Sequence, residues 1–199
     1  TASGLRGGRQ KGSRAAAEDL AWVGRVDWRP LPGLLLGASA YLGDSGQGME
    51  SPDGGALGVA TTILDAHAEW RARGLRTRAL WSRAEVGDVA ELNQALGLAS
   101  TASVGEELEG WYLEAGYDLL AAGGSPASLT AFVRCEAVDT QAAVPTGWEG
   151  NPANDQRVLT LGLAYQPLPQ VVFKLDWQQV ETGASSGVDQ VNVGLGYIF

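Results

Sequence analysis

The chain has 199 residues, of which 45% are hydrophobic and 19% charged, and its formal net charge at pH 7 is −9. The length favours a single domain over residues 1–199. No run approaches the roughly 18 consecutive apolar residues of a membrane-spanning helix, which excludes a helical membrane protein. The acidic balance argues against nucleic-acid binding, because a surface that neutralises phosphates needs an excess of Lys and Arg. No metal-ligand cluster or nucleotide motif appears in the sequence, so we expect no cofactor.

After a loop over residues 1–18, nine segments alternate apolar and polar residues with the period of two that is typical of β-strands. In the first, Trp22, Val26 and Trp28 share one parity, and Arg25 and Asp27 share the other. The predicted strands cover about 20–28, 34–42, 61–71, 75–84, 109–119, 129–139, 157–166, 171–180 and 187–199. One short helix is predicted at 88–98, with Asp88 as its N-cap.

The connections alternate strictly between short and long ones. The short connections are 29–33, 72–74, 120–128 and 167–170, and the long ones are 43–59, 85–107, 140–155 and 181–187. Transmembrane β-barrels have short periplasmic turns and long external loops. The sequence therefore predicts an all-β fold, an antiparallel transmembrane β-barrel of the outer membrane.

Two rows of aromatic side chains lie on the apolar parity of these strands. The row near the short turns is Trp28, Trp70, Tyr117, Tyr165 and Tyr197, and the row near the long connections is Trp22, Trp81, Trp111 and Trp177. Aromatic rings favour the two interfaces of a membrane, so we interpret these rows as girdles. The alternative is a soluble β-sandwich or barrel with this parity as its core.

Nine strands would leave the start of the chain on the external side. Bacterial single-chain barrels have an even number of strands, so we expect an odd number of further strands before Thr1. The interpretation is then the C-terminal part of a pore of 16 or 18 strands, a size that leaves an aqueous channel.

Three stretches of this sequence resemble a known family. They are GLRGGRQKGSRAAAEDLAWVGRVDWRPLPGLLLGASAYLGDSG, ANDQRVLTLGLAYQPLPQVVFKLDW and VDQVNVGLGYIF, and they are similar to the C-terminal half of the phosphate-selective porins of the O/P type. The resemblance implies a homotrimeric outer-membrane pore that passes anions or phosphate. The last strand also resembles the end of outer-membrane barrels, whose terminal aromatic, here Phe199, is the signal for the barrel assembly machinery.

The polar parity supplies the candidate pore-lining residues: Arg25, Arg71, Arg76, Arg78, Glu114, Arg134, Lys174 and Asp176. Six bases and seven acids share this parity, and such near balance favours a weakly selective diffusion pore for small ions and solutes. Arg76 and Arg78 could begin an arginine track for anions, or could pair across strands with Glu69 or Glu114. The helix at 88–98 could fold into the pore or cap its rim.

The N-terminal loop carries four bases, Arg6, Arg9, Lys11 and Arg14, which could collect anions, contact lipopolysaccharide phosphates or simply be solvated.

An outer-membrane barrel enzyme is a competing class, as is a structural or adhesive barrel. Catalysis would need a nucleophile, a base and an orienting group in contact. The only His, His67, has Asp65 and Glu69 on its own parity, and Ser82 lies on the next strand. We expect the registers of His67 and Ser82 not to match, so we expect no enzyme.

Overall fold

The computed structural model describes residues 1–8 and 16–198. Phe199 and residues 9–15, with Arg9, Lys11 and Arg14, lie outside the described residues. The fold is all-β, with nine antiparallel strands in a single sheet in the order β1 to β9. The strands are β1 Ala21–Leu31, β2 Leu34–Asp44, β3 Ala60–Ala72, β4 Leu75–Val86, β5 Glu107–Asp118, β6 Ser128–Ala143, β7 Asp155–Leu168, β8 Val171–Thr182 and β9 Gln190–Tyr197.

Each strand pairs with its neighbours in the sequence, and β1 and β9 are the two free edges of the sheet. Within the described residues the sheet is therefore open and does not close into a barrel. The helix α1, Val89–Ala95, is shorter than the predicted 88–98. No helix among residues 1–8 and 16–198 is long and apolar enough to cross a membrane.

Three of the four short turns are tighter than the sequence suggested. The strand β1 continues through Leu31, so the predicted turn at 29–33 shrinks to Pro32 and Gly33. Gly33 has a φ of 84°, which is the conformation that the third position of a type II turn needs after a proline. Arg73 and Gly74 both have positive φ, 50° and 83°, as in the type I′ hairpin turn.

The register sorts the side chains onto two faces. On the first, the apolar face, Trp22 lies opposite Leu42, Leu34 opposite Trp70, and Trp81 opposite Trp111. On the second, the polar face, Arg25 lies opposite Ser39, Asp65 opposite Ser82, and Arg78 opposite Glu114. Because side chains alternate along each strand, this register keeps the two sets apart across all nine strands.

The buried apolar core of the described chain does not lie on the apolar face. It is a small cluster at the end of the sheet where the long connections lie, formed by Leu57, Val59, Val86, Val89, Leu92 and Val104. Met49, Leu98 and Leu108 pack against it. We call this cluster, with connections 45–59 and 87–106 that supply most of it, the cap. Since Val86 and Leu108 belong to the polar parity of β4 and β5, the cap lies over the polar face.

Asp88 occupies the predicted N-cap position of α1, but its side chain does not cap the helix. It precedes α1 in a left-handed conformation with a φ of 53°, and its side chain makes no capping hydrogen bond. The helix is held instead by burial of Val89, which is 1% exposed, and Leu92. Packing of an apolar side, rather than a capped end, stabilises this seven-residue helix.

Candidate functional site

The polar face carries every charged residue that the sequence placed in the candidate pore. The strand register puts Arg25, Arg71, Arg76, Arg78, Glu114, Arg134, Lys174 and Asp176 on this one side of the sheet. Most of these charges form short-range ion pairs with carboxylates on the same face.

Arg78 and Arg134 anchor the central part of this network. Arg78 lies directly opposite Glu69 on one neighbouring strand and Glu114 on the other, and its Nε is 4.0 Å from the Glu69 carboxylate. The Arg134 guanidinium is 3.8 Å from Glu114 and donates a hydrogen bond to Glu136. It also stacks 3.8 Å above the ring of Tyr112. Of the two alternatives for Arg78, its contacts favour cross-strand pairing, with Glu69 as its partner and Glu114 directly opposite in register.

Arg76 differs from the other bases of the candidate set. Its cross-strand neighbours are Arg71 and Gly116, and none of the ion pairs found in the described part of the chain includes it. Like charges that lie directly opposite are destabilising. The Arg71 guanidinium instead turns to Glu69, at 3.4 Å.

Next to the β9 edge of the sheet, Lys174 and Asp176 form an ion pair on β8, with 3.4 Å between Nζ and Oδ2. Asp176 is only 4% exposed and also accepts a 3.0 Å hydrogen bond from Asn192. Lys174 lies 5.0 Å above the ring of Phe132. That ring occupies the space beside Gly162, where an added Cβ would lie 2.3 Å from it. Glycines on the polar face thus make room for larger neighbours.

A second network surrounds His67, and the sequence alone identified only part of it. His67 Nδ1 lies 3.2 Å from Asp65, as the spacing suggested. Its Nε2 lies 3.0 Å from the Arg25 guanidinium and 3.4 Å from Asp27, two residues of β1 that only the register of three strands could bring near. Ser39 completes the network by donating a hydrogen bond to Asp65.

His67 and Ser82 do not lie opposite each other, as expected, but their registers differ by only two residues. Ser82 lies directly opposite Asp65, and His67 lies opposite Leu80 two residues along, so the two side chains are diagonal neighbours. The Ser82 hydroxyl, however, donates to the backbone carbonyl of Leu64 at 3.2 Å. Both ring nitrogens of His67 are engaged by Asp65, Asp27 and Arg25. The described contacts therefore do not form a nucleophile–base pair.

The long connections are joined by a buried polar network that the sequence pattern did not predict. Asn93 is fully buried, donates to the Ser103 hydroxyl at 2.7 Å, and accepts from the Val104 amide at 2.9 Å. Gln141 donates to the Ser103 carbonyl at 2.6 Å and accepts from the Asn154 side chain at 2.7 Å. These bonds tie the connections 87–106 and 144–154 to the end of β6.

On the apolar face, the structure places all nine predicted girdle residues. Trp28, Trp70, Tyr117, Tyr165 and Tyr197 lie within a few residues of the short turns, and Trp22, Trp81, Trp111 and Trp177 lie toward the long connections. Beyond the second row this face becomes charged, with Arg83 bonded to Glu107 at 2.6 Å. A cavity of about 620 Å³ lies here, lined by Trp111, Cys135, Leu159 and Arg157 among others.

Comparisons with known proteins add one relative and no family. No family model matches the chain. It is 30% identical over 174 residues to an uncharacterized protein of Aquifex aeolicus (strain VF5). The aligned region covers 85% of this chain but 39% of the relative, so the chain spans well under half of that protein's length.

Proposed function

We propose that this chain is part of an outer-membrane porin, a transmembrane β-barrel that forms a water-filled channel for small ions and solutes. The observation that carries the proposal is the separation of the two faces over nine consecutive strands. In a barrel, such a sheet turns its apolar face to lipid and its polar face to the channel. Eight of the nine strands have eleven or more residues, against the roughly 9–11 that a tilted strand needs to cross a bilayer.

The exposed apolar area argues against the soluble alternative. Trp22 and Trp28 are 74% and 62% exposed. An aromatic side chain has a surface of about 150–250 Å², so these two side chains alone expose roughly 200–340 Å² of apolar surface. Soluble monomers rarely expose a contiguous apolar patch of more than a few hundred Å². On this face Leu113, Leu195 and many others add to that area, and the cap, which lies on the other face, does not cover it.

The open edges fit a larger barrel. Both β1 and β9 run from the end of the sheet with the long connections toward the end with the short turns, so direct pairing between them would be parallel. Antiparallel closure therefore requires an odd number of further strands between β9 and β1. The relative from Aquifex aeolicus extends well beyond the aligned region, which supports a barrel of 16 or 18 strands for the complete protein.

The cap supports a channel that is narrowed at its external end. It packs on the polar face through Val86 and Leu108, so in a closed barrel it would extend into the external mouth. Of the two alternatives for α1, we therefore favour the one in which it narrows the pore over the one in which it lies on the outer rim. The proposal also includes lipid and lipopolysaccharide at the apolar face. Through the porin resemblance it includes a homotrimer and the barrel assembly machinery, which would act on Phe199. The resemblance favours anions or phosphate as the permeant, whereas the charges of the long connections, described below, favour cations.

The enzyme and the structural barrel remain the competing functions. The contacts of Ser82 and His67 provide no activated nucleophile, which is why we favour the porin. The test is single-channel conductance of the purified complete protein in a planar bilayer. Discrete conductance steps that grow with salt concentration are expected. A protein that inserts without producing steps would overturn the porin proposal and favour a structural barrel or an enzyme.

A further inference from the structure

Charge is distributed very unevenly between the two ends of the sheet. The four long connections, 45–59, 87–106, 144–154 and 183–189, contain seven carboxylates and not one Lys or Arg. The carboxylates are Glu50, Asp53, Asp88, Glu91, Glu106, Glu149 and Asp189. Four other bases, Arg71, Arg73, Arg76 and Arg78, lie in or beside the short turn between β3 and β4, at the opposite end of the sheet. Arg83 and Arg157 lie near the long connections but on the apolar face, where Arg83 pairs with Glu107 and Arg157 lies opposite Glu181.

The N-terminal bases do not reverse this excess. Residues 1–18 carry Arg6, Arg9, Lys11 and Arg14, and they are followed by β1, which begins at the same end of the sheet. If all four bases are counted at this end together with Glu18 and Asp19, the acids still outnumber the bases by five.

The carboxylates of the connections also differ from those of the polar face in their partners. On the polar face, carboxylates such as Glu69, Glu114 and Asp176 lie beside Arg or Lys. None of the seven carboxylates in the connections takes part in an ion pair within residues 1–8 and 16–198. Six of the seven are in exposed residues, so the field of these charges extends into solution.

From these two observations we propose that the channel prefers cations, because its external mouth concentrates them before they reach a nearly neutral wall. The proposal rests on the porin function proposed above. The preference comes from the field of the whole mouth and requires no binding site. Clefts lined by one sign of charge raise the local concentration of the opposite ion and its rate of entry. The permeant class is small monovalent and divalent cations and cationic solutes.

Salt concentration gives the sharpest signature of such a mechanism. The Debye length falls from about 30 Å at 0.01 M salt to about 3 Å at 1 M. A preference that arises from the mouth's field is therefore strong in dilute KCl and disappears in concentrated KCl. A preference fixed by direct contacts inside the wall would persist at high salt.

The test is the reversal potential of the complete protein in a planar bilayer under KCl gradients of low and high mean concentration. We expect K⁺ to permeate several-fold better than Cl⁻ in dilute salt and the ratio to approach one in concentrated salt. A variant with Glu50→Gln, Glu91→Gln and Glu149→Gln should lower the dilute-salt ratio by roughly two- to three-fold, because three uncompensated charges are removed from the mouth.

A matched variant with Glu109→Gln, Asp155→Asn and Glu181→Gln removes the same charge from the apolar face. It should change the ratio less than the mouth variant. Preference for Cl⁻, block by added inorganic phosphate, or equal effects of the two variants would overturn the cation proposal while leaving the porin function intact. A complete lack of conductance steps would instead refute the porin function itself.

Discussion

The buried polar network of the cap makes a quantitative prediction. Asn93 is fully buried, and its Oδ1 is the partner of the Val104 amide. In Asn93→Ala that amide loses its acceptor, while the Ser103 hydroxyl keeps its 2.7 Å bond to the Val104 carbonyl. A buried amide left without a hydrogen-bond partner lowers stability by about 1–3 kcal/mol. We therefore expect the free energy of opening the cap to fall by about 2 kcal/mol, which is about thirty-fold in the opening equilibrium.

Hydrogen–deuterium exchange of the protein in lipid or detergent measures this opening directly. Peptides within 87–106 should exchange faster in Asn93→Ala, and so should peptides within 45–59, because Leu57 and Val59 share the cluster with Val89 and Leu92. Strand peptides far from the cap should not change. Local opening of this kind is the type of event that exchange resolves.

Gln94→Ala is the matched control, since Gln94 is the next residue of the same helix and is exposed. Surface substitutions of this kind usually change stability by less than about 0.5 kcal/mol. If Asn93→Ala and Gln94→Ala gave the same exchange in 87–106, the Asn93 hydrogen bonds would not hold the cap closed. If only 87–106 responded, the two connections would open independently and the shared cluster would not couple them.

Three further predictions concern the two faces. Leu175→Arg, on the apolar face, should lower folding stability in lipid vesicles by about 2–4 kcal/mol. Gln178→Arg, on the polar face of the same strand, should lower it far less, and equal urea midpoints for the two variants would refute the assignment of faces. Arg76→Ala combined with Arg78→Ala should shift the reversal potential further toward K⁺, and an unchanged potential would show that neither base influences permeation. Gly162→Ala would place a Cβ 2.3 Å from the Phe132 ring and should lower folding stability, measured by urea titration, by about 1–3 kcal/mol. Gly194→Ala, whose Cβ would lie 3.8 Å from Lys174, should be tolerated. Comparable losses of stability in the two variants would contradict the packing role of Gly162.

The alternation of side chains is a local property, and it allowed the sequence to predict most of the sheet. A period of two defines which residues share a face whatever the partner strand is, so the apolar and polar sets followed from the chain alone. The turns were readable for the same reason, because Pro32 restricts its own φ and Gly33 accepts the positive φ that the turn needs. The strand ends were less accurate, as at β1, which continues through Leu31, because pairing with a neighbour can extend a strand beyond its own pattern.

Contacts between distant segments were decided only by the tertiary structure. The pairing of His67 with Asp27 and Arg25 depends on the registers of β1 with β2 and of β2 with β3, and a shift of one residue in either would separate them. The same is true of Ser82, which the sequence placed too far from His67. The conformation of the connections also depends on packing, because Asn93 and Gln141 find their partners only when three segments meet. The sequence thus determined which residues face each side of the sheet, whereas the register and the packing of the cap decided which of them touch.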